Sequence, residues 1–230
     1  VDLSSFFLFF FNDTATAEIY THFSARVPGT EDFLINPYGM MFDEITASNL
    51  VKIDWEGRIL DDPLGMGVNE AGFVIHSCMH AARPEINCVI HTHTRAGVAV
   101  SAMKCGLLPI SQHAMMVQAD VTYHDYEGIA TDLDERERIA RDLADNNVLI
   151  LRNHGLLTVG TTVDEAAWWY ITMERTCHVQ LMAEAAGDPV VIEDECARQT
   201  HDQVGGRLAG WLSFQPLYDK IVHDQPDLLD

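Results

Sequence analysis

Residues 88–94 read CVIHTHT, an apolar run that ends in two histidines. The apolar part predicts a buried β-strand, and the i, i+2 spacing of His91 and His93 places both imidazoles on the same face of that strand. Such a pair is either a polar strand end in contact with solvent or two ligands of a metal ion. A metal site would need a third ligand from elsewhere in the chain.

A second apolar run, residues 147–155 with the sequence NVLILRNHG, also ends in a histidine. It predicts another buried strand, with His154 just past its end. His91, His93 and His154 together supply three imidazoles, the ligand number of a metal site that keeps one position open for water or substrate. This ligand type favours Zn²⁺, and other divalent first-row ions such as Mn²⁺ also bind imidazole.

The composition restricts the possible partners. With 14 Lys and Arg residues against 35 Asp and Glu residues, the formal charge is −21, which repels nucleic acid and anionic membrane surfaces and leaves a small molecule as the expected partner. No apolar run approaches the roughly 18 residues of a membrane helix. The five cysteines include no C-x-x-C pair, a usage typical of a reducing compartment, so we expect a cytoplasmic protein.

The length of 230 residues suits one domain with a full hydrophobic core. The N-terminus has a different character. Residues 9–21, FFFNDTATAEIYT, resemble the translation of a common sequencing-adapter oligonucleotide, and the chain begins without Met. We therefore expect residues 1–20 to be a non-native segment that replaces a first helix. Residues 21–230 are expected to form the single domain, which ends in one or two helices.

Apolar periodicity and turn residues predict the other elements. Predicted helices span 73–82, 95–104, 112–117, 133–144 and 163–186, and predicted extended segments span 33–35, 50–54, 58–60, 107–110, 121–126 and 156–160. The longest helix has Thr162 as its N-cap and Glu165 at the capping-box position. His76 and His80 share one face of helix 73–82, where they either pack near a polar pocket or bind a metal.

Three motifs resemble one known superfamily: RP-x-x-NCVIHTH at 83–93, GLLP at 106–109 and RNHG at 152–155. Together they resemble the class II aldolase/adducin head-domain superfamily, which includes the fuculose-phosphate and rhamnulose-phosphate aldolases. The resemblance extends from residue 21 to residue 187. It implies an α/β fold with three layers, α/β/α, around a mostly antiparallel central sheet, and commonly a homotetramer with its site near a subunit interface. It also implies that His91, His93 and His154 are the metal ligands.

The chain departs from the sugar-phosphate aldolases where those enzymes hold phosphate and transfer protons. Their acid/base glutamate, four residues before the histidine at position 76, corresponds to Gly72. The asparagine of their phosphate-binding Gly-Asn-x-Ser turn corresponds to His22, and Tyr38 stands where a small hydroxyl residue is usual. These replacements argue against a phosphate cradle.

Three residues are candidates for proton transfer in place of the missing glutamate. Glu70 is a nearby carboxylate that a shifted loop could bring to the site, or it is simply solvated. His113 lies close to where the aldolases offer a tyrosine from an adjacent subunit, and it equally fits a surface histidine at a helix start. Tyr123 is the third candidate, and a bound water could also shuttle the proton.

Two functions remain as hypotheses. The first is a metal-dependent lyase of the class II aldolase type, which acts on a small hydroxy-carbonyl or keto-acid substrate through an enediolate. The second is a non-catalytic scaffold of the cytoskeletal, actin-binding adducin type with a vestigial or structural metal site, since residues 71–76 and 123–128 resemble the adducin-like branch. Animal adducins have lost the metal histidines, whereas this chain has all three. An epimerase of sugar phosphates would need the missing phosphate cradle.

Overall fold

The computed structural model describes residues 21–128, 133–224 and 226. The segment 1–20, for which the sequence predicts a non-native origin, lies outside these residues. Eight strands form one sheet in the order β4-β3-β2-β1-β5-β8-β7-β6. The strands are β1 (His22–Arg26), β2 (Phe33–Ile35), β3 (Val51–Ile53), β4 (Ile59–Asp61), β5 (Cys88–Thr92), β6 (Val121–His124), β7 (Val148–Leu151) and β8 (Gly155–Gly160).

The sheet is mixed but mostly antiparallel, as the resemblance implied. Strands β6 and β7 form its one parallel pair in the described part of the chain. The connection through helix Leu133–Leu143 returns the chain to the end of the sheet at which β6 begins, so both strands run in the same direction. The other six pairings are antiparallel. Strand β5, which contains His91, lies near the middle of the sheet between β1 and β8.

Helices cover both faces of the sheet and produce the three layers. The α-helices are α1 (Glu70–Ala82), α2 (Arg95–Ser101), α3 (Gln112–Val117), α4 (Leu133–Leu143), α5 (Val163–Ala186), α6 (Asp194–Val204) and α7 (Arg207–Asp224). Helices α1 and α4 pack on one face, and α2, α5 and α7 pack on the other. The α/β/α prediction is confirmed.

Alternation along β5 explains why its sequence is apolar throughout. Val89 faces the core under α1 and α4, whereas Cys88 and Ile90 face the core under α5 and α7. A strand covered on both faces buries every residue, and all five residues of β5 are buried. His91 follows Val89 on the α1 face because side chains alternate along a strand.

The long helix α5 begins where the sequence predicts. The Thr162 hydroxyl accepts a hydrogen bond from the Glu165 backbone N–H, so Thr162 is the N-cap. The Glu165 carboxylate does not return to the N-cap backbone, and instead accepts hydrogen bonds from the N–H and hydroxyl of Thr161. It also pairs with Arg207 at 2.7 Å, which connects the start of α7 to the start of α5.

Some boundaries differ from the predictions. Helix α1 starts at Glu70, three residues earlier than expected, and α2 ends at Ser101 instead of residue 104. Residues 107–110 form no strand. Strand β1 was not predicted, and it pairs with β5 and β2 in the sheet. Among the described helices, none is long and apolar enough to cross a membrane.

Candidate metal centre

The three predicted ligands meet at the end of β5. The ring centroids of His91, His93 and His154 lie 4.7–4.8 Å apart in all three pairs, and their candidate ligand nitrogens all lie within 4.8 Å of one another. We call these residues the triad. Within the described ranges, they form the one group of three or more His, Cys, Asp or Glu side chains that is close enough to share a metal ion.

Hydrogen bonding fixes which nitrogen of His91 faces the centre. His91 Nδ1 lies 3.0 Å from the Leu156 carbonyl oxygen, which can only accept, so Nδ1 carries the proton. The lone pair of His91 is therefore on Nε2, which lies 2.9 Å from His93 Nε2. A backbone carbonyl that orients a ligating imidazole in this way is the usual support of a protein metal site.

The turn from β7 to β8 explains the Asn-His-Gly sequence around His154. Asn153 has φ +57°, a left-handed conformation that asparagine tolerates better than most residues. A Cβ on Gly155 would overlap the carbonyl oxygen of Thr92, so only glycine lets β8 approach β5 this closely. This approach brings His154 against the two histidines of β5.

Burial keeps the triad ready to bind a cation. Desolvation lowers the pKa of His154 to about 4, with a further contribution from His93, and lowers the pKa of His91 well below its ordinary value. The pKa of His93 is also lowered by burial. All three imidazoles are thus neutral at pH 7, the form that coordinates metals. His91 is buried, whereas His93 and His154 are partly exposed, so the centre is open on one side.

The proton-transfer candidates lie in three different places. Glu70 is exposed at the first residue of α1, and His113 is exposed on α3. Tyr123 is partly buried on β6, where its hydroxyl accepts a hydrogen bond from the Leu107 N–H at 3.0 Å. The Arg152 guanidinium lies over the Tyr123 ring, with its Cζ 4.2 Å from the ring centroid. Tyr123 packs against the core under α2 and α5, so within one chain it holds the loop at 107 on the face opposite the triad.

Four buried residues lie beside the triad, and the sequence singles out only the two on α1 as possible site residues, either packing near a polar pocket or binding a metal. His22 and Ser24 on β1 and His76 and His80 on α1 form what we call the histidine row. His22 lies directly opposite His91 in the β1–β5 ladder. The alternation in residues 21–25 could have indicated a strand, but only the pairing with β5 shows which face His22 occupies.

The row also explains Gly72. A Cβ at this position would lie 2.6 Å from His22 Nδ1, closer than real contacts allow. The imidazole of His22 therefore occupies the space into which a side chain at position 72 would point. The two replacements noted in the sequence, His22 and Gly72, are coupled in the structure.

The family model for the class II aldolase and adducin N-terminal domain matches residues 2–181. The chain therefore belongs to this family. A solved aldolase II superfamily protein from Pseudomonas syringae is 48% identical, with a TM-score of 0.93 over 100% of this chain and 94% of that one. The L-fuculose 1-phosphate aldolase from Glaciozyma antarctica is 34% identical, with a TM-score of 0.89 over 99% of this chain and 89% of that one.

Two curated relatives represent different functions. The decarboxylase NovR of Streptomyces niveus is 40% identical over 200 residues, which cover 86% of this chain and 73% of that protein. The alpha-adducin of Mus musculus is 45% identical over 204 residues, which cover 86% of this chain but only 28% of the adducin. Similarity to enzymes and to a protein of the adducin class thus coexists in one family, and the residues of the site must distinguish them.

Proposed function

We propose that this protein is a metal-dependent lyase of the class II aldolase type, which acts on a small hydroxy-carbonyl or keto-acid substrate. The observation that carries the proposal is the convergence of three neutral imidazoles at one open centre. A converging set of buried nitrogens needs a cation or a full set of hydrogen bonds. The donor set fits a divalent first-row ion, with Zn²⁺ preferred and Mn²⁺ as an alternative.

A bound divalent cation would supply Lewis-acid stabilisation of the negative charge that develops on an enediolate. The chain provides the geometry for this chemistry. Leu156 orients His91 through its carbonyl oxygen, and the turn at Asn153 and Gly155 places His154. The partly exposed edge of His93 and His154 leaves room for a substrate to approach.

Glu70 and His113 remain our candidates for proton transfer, because both side chains are exposed. His113 would act across a subunit interface, in the homotetramer that the resemblance implies. Tyr123 is the weaker candidate of the three. Its side chain packs against the core under α2 and α5, on the face opposite the triad, so within one chain it does not lie beside the triad.

A substrate without phosphate fits the chain better than a sugar phosphate. His22, which replaces the asparagine of the phosphate-binding turn, lies within strand β1 and is buried. Tyr38 is 41% exposed and offers a ring where a small hydroxyl residue would bind phosphate. The similarity to a decarboxylase supports keto acids as one substrate class.

Metal analysis of protein prepared without chelator tests the metal. We expect about one equivalent of divalent metal per chain, because an assembled three-histidine site binds zinc tightly. A content below about a tenth of an equivalent would count against the enzyme. A screen of hydroxy-aldehydes, hydroxy-ketones and β-keto acids then tests turnover. Wild type and the exposed-site control His178→Ala should share an activity that His91→Ala lacks.

The similarity to alpha-adducin supports the second candidate, a non-catalytic scaffold of the cytoskeletal, actin-binding type. In that case the metal would be structural or absent, and wild type and His91→Ala would be equally inert throughout the screen. The intact triad favours the enzyme. The five free cysteines, three of them buried, support a cytoplasmic location for either function.

A further inference from the structure

Three members of the histidine row, Ser24, His76 and His80, form a chain of hydrogen bonds between β1 and α1. The Ser24 hydroxyl lies 2.6 Å from His76 Nδ1 and 2.9 Å from His80 Nε2. At the far end of the row, His80 Nδ1 lies 3.0 Å from the Ile86 carbonyl oxygen. Ser24, His76 and His80 are each at most 4% exposed, so their partners must come from the protein or from a molecule held inside it.

The Ile86 carbonyl sets the direction of every hydrogen bond in the row. It can only accept, so His80 Nδ1 donates and, in a neutral ring, His80 Nε2 must accept. Ser24 therefore donates its hydroxyl proton to His80 and accepts from His76 Nδ1. This leaves His76 Nε2 without a proton. The row thus fixes the tautomer of His76, and His76 Nε2 is left as a hydrogen-bond acceptor.

The acceptor, His76 Nε2, lies near His22, whose ring nitrogens, like His76 Nε2 itself, lack hydrogen-bond partners in the described part of the chain. The two rings are nearly perpendicular, with centroids 6.2 Å apart. His22 is 4% exposed and lies opposite His91. Three buried nitrogens without partners are costly, and they cluster beside the triad.

We propose that His22 and His76 form a hydroxyl-binding subsite beside the triad. A hydroxyl group can donate its proton to His76 Nε2 and accept one from the N–H of His22, which satisfies both rings. A carbonyl or carboxylate oxygen cannot donate and would leave the lone pair of His76 facing another acceptor. The hydroxyl can belong to a ligand or to a water molecule.

If a ligand supplies the hydroxyl, the subsite rests on the proposed function and deepens it. The preferred substrates would then be those that carry a hydroxyl group. The row itself does not depend on catalysis. Its hydrogen-bond direction is a property of the folded chain, with or without metal.

The tautomers can be measured directly by ¹⁵N NMR of histidine-labelled protein, metal-free and zinc-loaded. We expect His76 and His80 to carry their protons on Nδ1, the less common tautomer in water. The Ser24→Ala variant should lose this preference at His76, whereas Ser77→Ala, which removes a hydroxyl of α1 that bonds to the Val74 carbonyl, should retain it. An Nε2–H tautomer at His76 in wild type would overturn the proposal.

The occupant is tested with simple probes on the zinc-loaded protein. Calorimetry compares glycolate, which has a hydroxyl, with methoxyacetate and acetate, which cannot donate. A ligand hydroxyl in the subsite predicts that glycolate binds about tenfold more tightly than either, and that Ser24→Ala reduces this preference. If the three probes bind alike, a crystal structure should show a water molecule between His22 and His76. Equal binding with no such water would refute the subsite, whatever the fate of the lyase proposal.

Discussion

The triad and the histidine row are two histidine clusters on the same face of one sheet, yet they differ in openness and in bonding. The triad stands at a strand end, with His93 and His154 partly exposed. The row is closed beneath α1, where Ser24 and the Ile86 carbonyl connect the imidazoles. In the triad three imidazoles converge on one centre, whereas in the row a hydroxyl and a carbonyl satisfy His80 and one nitrogen of His76 only.

The largest expected effect separates the two clusters by metal affinity. His91→Ala removes a ligand from the triad, and we expect zinc affinity to fall more than about a hundredfold. Ser24→Ala changes only the row and should alter zinc affinity by less than about tenfold. Competition with a chromophoric chelator measures both. Equal losses in the two variants would mean that the clusters act as one site.

The second effect concerns the close approach that builds the triad. Gly155→Ala places a Cβ on the Thr92 carbonyl, and we expect a loss of about 3 kcal/mol in the free energy of unfolding. Gly29→Ala is the control, because Gly29 has a positive φ but open space around it, so only backbone strain of about 1 kcal/mol is expected. Urea unfolding measures both. If the two variants lost similar amounts of unfolding free energy, the close contact between Gly155 and Thr92 would not contribute to stability beyond backbone strain.

The third effect is a pH dependence of stability in the metal-free protein. Burial lowers the pKa of His22 to about 3, with additional contributions from His93 and His154, and burial lowers the pKa of His80 to about 4. Below pH 6.5 the unfolded chain binds protons that these folded groups do not, so stability should fall as the pH falls from 6.5 toward 4. Each histidine contributes at most about 1.4 kcal/mol per pH unit.

The control for this pH dependence is a variant that removes one such group. His22→Asn should make the slope of the unfolding free energy against pH shallower, since one fewer proton distinguishes the folded and unfolded states. Ser77→Ala, which removes no titratable group, should leave the slope unchanged. A His22→Asn slope equal to that of wild type would show that His22 binds as many protons in the folded protein as in the unfolded chain.

The smallest effect tests the contact between Gly72 and His22. Gly72→Ala places a Cβ 2.6 Å from His22 Nδ1, and we expect a loss of about 1–2 kcal/mol in stability as the imidazole shifts. The zinc content should remain that of wild type, because the change lies in the row. Loss of zinc in this variant would instead show that His22 supports the triad.

The sequence predicted the triad because its signals are local. An i, i+2 pair on a buried strand and a histidine after a second buried strand can be recognised one segment at a time, and the resemblance to the family connected them. In the row, the i, i+4 spacing of His76 and His80 is also a local signal, but no local signal connects these two residues to β1. His22 and Ser24 lie 54 and 56 residues away from His76 and His80 along the chain, and only the antiparallel pairing of β1 with β5 brings them under α1.

The sequence by itself determined the apolar central strand, the N-cap at Thr162 and the identity of the three candidate ligands, and the motifs that resemble a known superfamily implied the layered α/β/α fold. These depend on periodicity and on short motifs, which act within one element. The tertiary structure decided that His22 fills the space over Gly72, that Tyr123 holds a loop on the opposite face, and that the row has a single hydrogen-bond direction. Those features depend on which strands are neighbours, and strand pairing joins segments that are distant in sequence.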